Sequence, residues 1–249
     1  MDSIAVVILT KNNFDILKNC LDSFKEKNSF TNIKFYIGDT GSANKDLVRL
    51  NNYCKDFPYK KEIIKFNYYN FSKNYNWIIK NRVTEDFVLF CNDDIELKTD
   101  ALSIMYKKYS TDIGTLGCKL LFPDNTIQHA GQIHCFNESQ NVYFATHDLY
   151  KERDRILPDK YCSGNTFAFC LIKREIFLNL DCLNEKYKQC YEDVDFNIKC
   201  TLKNLKHKFV GDAVCYHHES VTRKKNFVDE IDIEDQILIN TKLKKLYTK

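Results

Sequence analysis

Residues 86–97 read DFVLFCNDDIEL: an apolar run from Phe87 to Cys91 that ends in Asn92, Asp93 and Asp94. An apolar run with no polar interruption suits a strand covered on both faces. Two adjacent carboxylates at its end repel each other and lose hydration if they leave water. Bulk water at a loop tip can offset that cost, and so can a bound divalent cation. The flanking sequence bears on the choice.

Upstream, the same pattern recurs. IAVVILT (4–10), IKFYIGD (33–39) and EIIKFN (62–67) read as strands, and each leads into a helical repeat. Phe14, Leu17, Leu21 and Phe24 follow Asn12 and Asn13, which can cap a helix. Leu47, Leu50 and Cys54 mark a second helix, and SKNYNWIIKNRV (72–83) a third. The β-α-β-α-β-α-β order predicts an α/β fold, a mostly parallel sheet with helices on both faces. Ligands of such sheets bind beyond the carboxyl ends of the strands. Thr10-Lys11-Asn12, Asp39 and Asn92-Asp93-Asp94 all follow strand ends, so the three polar clusters are expected at one rim. That loops are polar explains any one cluster, and explains all three less well.

Downstream, TLGCKLLFPDNTIQHAGQIH (115–134) reads as a strand, a Pro-Asp-Asn turn and a second extended segment. Residues 137–160 are polar and turn-rich with no clear period, as in a mobile loop. CSGNTFAFCLIKREIF (162–177) reads as a strand leading into a helix. YEDVDFNIKCTLKNL (191–205) reads as an amphipathic helix with Val194, Ile198, Leu202 and Leu205 inward, and HKFVGDAVCYHH (207–218) as a last strand. These divide the chain into one domain, 1–222, with a first half (1–98), a second half (99–222) and a charged helical tail (223–249). The basic residues of VTRKKNF and TKLKKLYTK suit a solvated helix face, with an anionic membrane surface as the other reading.

Composition narrows the classes. At 249 residues and 44% hydrophobic, the chain can bury a real core, and a net charge of +3 makes no electrostatic case for nucleic acid. None of the eleven cysteines forms a C-x-x-C pair, and Cys91, Cys118, Cys170 and Cys215 sit in apolar runs. Buried free thiols in a reducing, cytoplasmic compartment are expected. The N-terminal apolar run lacks a basic flank and reads as a strand rather than a signal peptide, and no stretch reaches the ~18 apolar residues of a membrane span. P-loop, dinucleotide and serine-hydrolase spacings are all missing.

Three groups could carry chemistry. Asp93 and Asp94 suit a hard cation such as Mg2+ or Mn2+, which takes one or two carboxylates together with phosphate and water. Glu192, Asp193 and Asp195 open a helix, where the macrodipole alone favours acids; one of them could instead be a general base facing an acceptor hydroxyl. His217 and His218 are neighbours on a strand and point to opposite faces, so at most one enters any site. Lys73 could meet a phosphate or stand in solvent.

In this order the motifs resemble the family 2 inverting glycosyltransferases of the GT-A fold, most closely their rhamnosyl- and galactosyl-type branch. The carriers are VVILTKNN, GDTGSAN, NFSKNYNWII, FCNDDIEL, GCKLLFPDNTIQHAG, CSGNTFAFCLIKREIF, YEDVDFNIKC and VCYHHES, and the likeness covers residues 4 to about 222. The resemblance implies a small antiparallel subregion on the acceptor side and a metal, Mn2+ or Mg2+. It implies a UDP- or dTDP-linked sugar as donor and a glycan, lipid-linked or protein acceptor. By the same resemblance, Thr10, Asn12 and Asp39 would hold the nucleoside, and Lys73 and Asn76 would lie by the nucleotide. Asp93 would lie near the ribose, with Asp94 on the metal and Asn92 in the first place of the D-x-D pattern. Ser163, Gly164 and Asn165 would lie beside the donor sugar and acceptor. Asp193 would be the catalytic base, Glu192 would orient the acceptor, and His217 in preference to His218 would complete the metal site. Asn92 departs from the pattern, since an amide stands where the family carries an acid. A catalytically silent sugar-binding module would need no Glu192-Asp193 pair, and a nucleotidyltransferase would want a Gly-rich basic loop where TKNNFD stands.

Overall fold

A computed structural model of the chain describes residues 2–188, 190–218 and 233–248. Strands β1 (Ile4–Thr10), β2 (Ile33–Asp39), β3 (Lys60–Lys65) and β4 (Phe87–Asn92) pair in parallel in the order β3-β2-β1-β4. They are joined by α1 (Phe14–Lys27), α2 (Asn44–Lys55) and α3 (Phe71–Asn81). Every residue of β1 is buried, which is why its β-branched run has no polar side. Ile4, Val6 and Ile8 pack in one cluster with Leu21 and Phe24 of α1, while Ala5, Val7 and Leu9 pack with Ile78 and Ile79 of α3. The two-residue period therefore sends alternate side chains to opposite helical layers. At the edge, β3 keeps Lys60 and Lys65 exposed, charges that discourage pairing with another chain.

The sheet continues into the second half of the chain. After β5 (Ile95–Leu97) and α4 (Ala101–Lys107), β6 (Ile113–Leu121) runs parallel to the final strand of the sheet, β12 (Lys206–His217). Between β4 and β6 lies β11 (Phe169–Lys173), antiparallel to both, so one sheet spans both halves. β7 (Ile127–His129) pairs with β6, and β10 (Lys160–Cys162) forms the far edge against β12. The fold class is the one expected: a large, mostly parallel sheet between helices. α5 (Arg174–Asn179) and α6 (Glu192–Leu202) cover one face, with Phe90 at the contact. Its ring lies 4.5 Å from Phe167 and 5.3 Å from Phe177, so truncating it to alanine would cost about 3–5 kcal/mol.

Three local expectations differ. Within 137–160 the chain forms a strand, β9 (Val142–His147), which pairs with β8 (Gln132–Asn137) as a hairpin. Its residues are half-buried on both sides, so no polar-apolar alternation marks it in the sequence. Residues 163–168 form no continuous strand before β11 begins and pair only through the Gln132–Gly164 bridge to β8. In α6, Val194 and Ile198 are buried as expected, but Leu202 is 55% exposed. A 3.6-residue turn rotates each i+4 step by about 40°, so Leu202 has drifted off the inward face.

The tail forms a helix, α7 (Ile233–Tyr247), with Lys244 and Lys245 exposed on one side; its other side buries Asp235, Ile239 and Leu243, the two apolar ones in a cluster with Val194 and Ile198. The Asp235 carboxylate accepts the backbone N–H groups of Lys188 and Cys190, and the Lys242 ammonium pairs with the buried Asp195. The basic stretch VTRKKNF lies outside the described residues. All eleven cysteines are free thiols, and Cys91, Cys118, Cys170 and Cys215 are fully buried. Among the described residues no helix is long and apolar enough to cross a membrane.

Candidate active site

Three strand ends lie side by side. Thr10 is registered against Asp39 across β1 and β2, and Leu9 against Asn92 across β1 and β4. Thr10 donates its hydroxyl to Asp93 Oδ2 at 2.8 Å, with Asn13 Nδ2 at 3.5 Å from the same oxygen. Asn13 thus spends its side chain on Asp93 and makes no cap bond to α1. Asp39 is buried and receives the Ser42 N–H, while Asn12 Oδ1 receives the Ala43 N–H, tying the loops after β1 and β2 together.

The acids of 92–94 are unequal. Burial, reinforced by the charge of Asp94, pushes Asp93 up to about 7 against the two hydrogen bonds it accepts. Asp94 is also pushed up by burial, but the His217 imidazole overcomes this and holds its carboxyl below the usual range. His217 Nε2 lies 3.2 Å from Asp94 Oδ1 and 3.2 Å from Asn92 Nδ2, while its Nδ1 meets Gln128 Oε1 at 2.5 Å. His218 points the other way and pairs with Glu96 at 3.1 Å. Of the two histidines only His217 converges with Asp94.

Asp193 stands in the first turn of α6 and accepts the backbone N–H of Phe167 at 3.3 Å and the Gln132 amide at 3.2 Å. Burial raises its carboxyl, opposed by His147 and by the N–H groups of Val194 and Phe167. Its position relative to β4 follows from the next residue: the Ala168 carbonyl accepts the Asn92 N–H at 2.9 Å. The two acid clusters are therefore tethered to consecutive residues, 167 and 168. A second tether runs through Gln128, which holds His217, and Gln132, which holds Asp193. Glu192 is half-buried beside Asp193.

Three expected donor contacts have other work. Asn76 is 3% exposed; its amide donates to the Leu183 carbonyl and accepts the Leu183 N–H, locking α3 to the loop before α6. Asn165 is fully buried and donates to Thr115 and to the Lys208 carbonyl behind the rim. At Gly164 an added Cβ would sit 2.5 Å from Asn197 Nδ2 and 2.6 Å from Gln132 Oε1, so its smallness serves close packing of α6. Lys73 is exposed on the first turn of α3, where Asn70 caps the helix by accepting its backbone N–H. Ser163 is half-buried, and its N–H donates to the Gln132 carbonyl. Sequence reasoning missed Gln128, Gln132, His129 and His147, whose only signal was polar residues inside an otherwise extended stretch.

Among the described residues no three His, Cys, Asp or Glu side chains converge as a closed metal cage. Asp94, His217 and the Asn92 amide do converge at one open point. That donor set fits Mg2+ or Mn2+, which fill much of their shell with water and phosphate.

Solved structures of the same fold include GalNAc-T7 with UDP, GalNAc and Mn2+ (TM-score 0.72, 13% identity, 87% of this chain and 44% of that one). A second is the mannosyltransferase PcManGT of Pyrobaculum calidifontis with GDP-Man and Mn2+ (TM-score 0.66, 11% identity, 89% and 58%). The likeness shows the GT-A glycosyltransferase fold. Among curated proteins, the O-antigen biosynthesis protein RfbC of Myxococcus xanthus is 22% identical over 239 residues, covering 92% of this chain and 18% of that protein. The protein y4gI of Sinorhizobium fredii is 27% identical over 228 residues, 88% and 25% of the two chains. The chain thus spans a quarter or less of these relatives' length. The profile described as Glycosyl transferase family 2 matches residues 5–180, well over half of the sequence. The chain belongs to glycosyltransferase family 2.

Proposed function

We propose that this glycosyltransferase is metal-dependent and inverting, and moves a sugar from a UDP- or dTDP-linked donor to an acceptor hydroxyl in glycan synthesis. One observation carries the reading: Asp193 and the Asn92-Asp93-Asp94 group are hydrogen-bonded to the adjacent residues Phe167 and Ala168. Nucleotides and Mn2+ in the solved structures of GalNAc-T7 and PcManGT support it, as does the O-antigen role in the name of RfbC.

Asp94, His217 and Asn92 would hold the metal, whose charge offsets that of the departing diphosphate. Thr10, Asn12 and Asp39 line the nucleoside end, with Lys73 available to a phosphate. Asp193 takes the proton from the acceptor hydroxyl. That oxygen bonds to the anomeric carbon from the face opposite the leaving group, the carbon–oxygen bond to the diphosphate breaks, and its electron pair leaves with the nucleotide. A single displacement needs one base rather than a nucleophile and an acid. Burial strengthens Asp193 as a proton acceptor, because a raised pKa favours the protonated form it reaches after transfer. Glu192 would orient the acceptor. Eight buried free thiols support a reducing, cytoplasmic setting.

The experiment is a panel of nucleotide sugars with Mn2+, scored for thermal stabilisation, donor hydrolysis and the anomeric configuration of the product. A product with retained configuration, or stabilisation indifferent to Mn2+, would contradict the reading.

A further inference from the structure

The hairpin β8–β9 brings a second titratable side chain to the candidate base. Gln132 and His147 are direct partners across the hairpin. Cross-strand partners point to the same face with Cβ atoms about 5 Å apart. Gln132 reaches Asp193 from that face, and the charge of His147 is felt by the same carboxyl. Behind His147 stands His129, 1% exposed, its Nδ1 2.8 Å from His147 Nδ1 and its ring at 83° to the other. Two ring nitrogens at that distance share one proton, one as N–H and one as lone pair. Full burial, then the charge of His147 and more weakly those of Lys160 and His217, drives His129 toward its neutral form. His147 is the member of the pair that shares a cross-strand position with Gln132, the residue that reaches Asp193.

We propose that His147 is a positioning residue for Asp193, held in place by His129, and that its imidazolium keeps the base ionised before the acceptor arrives. The proposal rests on the reading of Asp193 as the base. It accounts for a problem the α6 start leaves open, namely why a recessed carboxyl with a raised pKa is ready to accept a proton. Among the described residues, Cys170 of β11 and Tyr191 ahead of α6 also interact electrostatically with Asp193, with Glu192 adjoining it in sequence. None of these brings positive charge. Lys160 of β10 and His217 of β12 face His129.

Two measurements on the full chain test it. In the first, imidazole NMR resonances are titrated in wild type and in Asp193→Asn, with His147 assigned by its loss in His147→Gln. The His147 midpoint falls by about 1 unit in Asp193→Asn, because the carboxylate no longer favours the imidazolium. An unmoved midpoint overturns the proposal. In the second, the pH profile of kcat is taken with the nucleotide sugar that the panel selects. In His147→Gln the acid limb moves up by about 1 unit and kcat falls by up to about 10-fold at pH values below that limb, with KM for the donor unchanged. A profile superimposed on wild type, while Asp193→Asn is inactive, overturns the proposal alone. Transfer retained by Asp193→Asn overturns the base reading and the proposal with it.

Discussion

Asp94 Oδ1 and His217 Nε2 lie 3.2 Å apart, although one follows the strand β4 and the other ends β12. The contact is made because β5, which continues from Asp94, pairs antiparallel with the end of β12, setting His217 against Ile95. Replacing either residue by alanine is expected to weaken nucleotide binding in the presence of Mn2+ by 10-fold or more, on the order of the loss when a metal site loses a ligand or its support. His218→Ala, which removes a side chain facing Glu96, should leave binding within about 2-fold of wild type. Calorimetry with and without Mn2+ checks both, and equal affinities in the two conditions would refute the site.

Asp193→Asn should leave donor binding nearly intact and lower transfer by about 10²–10⁴-fold, the range for loss of a general base. The amide keeps the shape of the side chain, so the contact to the Phe167 N–H can persist. Lost donor affinity with unchanged turnover would contradict the assignment.

His207 makes stability depend on pH. Its ring is buried between β6 and α6, 2.7 Å from Thr115 Oγ1 and 3.0 Å from the Asn197 carbonyl, and burial lowers its pKa from 6.5 to about 4. It is neutral when folded and protonated when unfolded below pH 6.5, so the stability it supports is complete above 6.5 and declines as pH falls toward 4. The advantage of wild type over His207→Gln in urea unfolding should shrink by about 2 kcal/mol between pH 7.5 and pH 5. Asp93 acts in the opposite direction, but it is common to both proteins and cancels in the difference. A gap that stays constant with pH would show that His207 is not held neutral.

Lys242 and Asp195 couple α7 to α6. Asp195 is 1% exposed, so Lys242→Met strands a buried carboxylate and should destabilise the fold by about 3–5 kcal/mol. Adding Asp195→Asn should recover much of that loss, since a neutral amide costs less to bury. Chemical denaturation of the single and double variants measures it, and additive losses would deny the pairing.

Asn165→Ala should act on stability and not on the donor. Its amide joins Thr115 to Lys208 inside the sheet, and a Cβ on the facing Gly117 would lie 2.1 Å from Asn165 Oδ1. The loss is expected at about 1–3 kcal/mol, with KM for the nucleotide sugar unchanged in the folded fraction. A raised KM at unchanged stability would return Asn165 to the donor site.

Strand and helix placement could be read from spacing, because burial against a neighbouring layer leaves a two-residue or 3.6-residue signature in the chain itself. β1, β2, α1 and the apolar run ahead of Asp93 carry that signature, and so do the acids that open α6. Nothing local distinguishes Asn76, which bridges α3 to Leu183, from an exposed asparagine. Likewise β9 is half-buried on both sides and lacks a periodic mark, so His147 could not be tied to Gln132 before the hairpin register was known. A polar side chain's role depends on which distant groups surround it, and those are chosen by sheet order and register. Element identity is thus written along the chain, whereas the pairing of Asp94 with His217 and the link of Asp193 to Phe167 exist only once the strands are assembled.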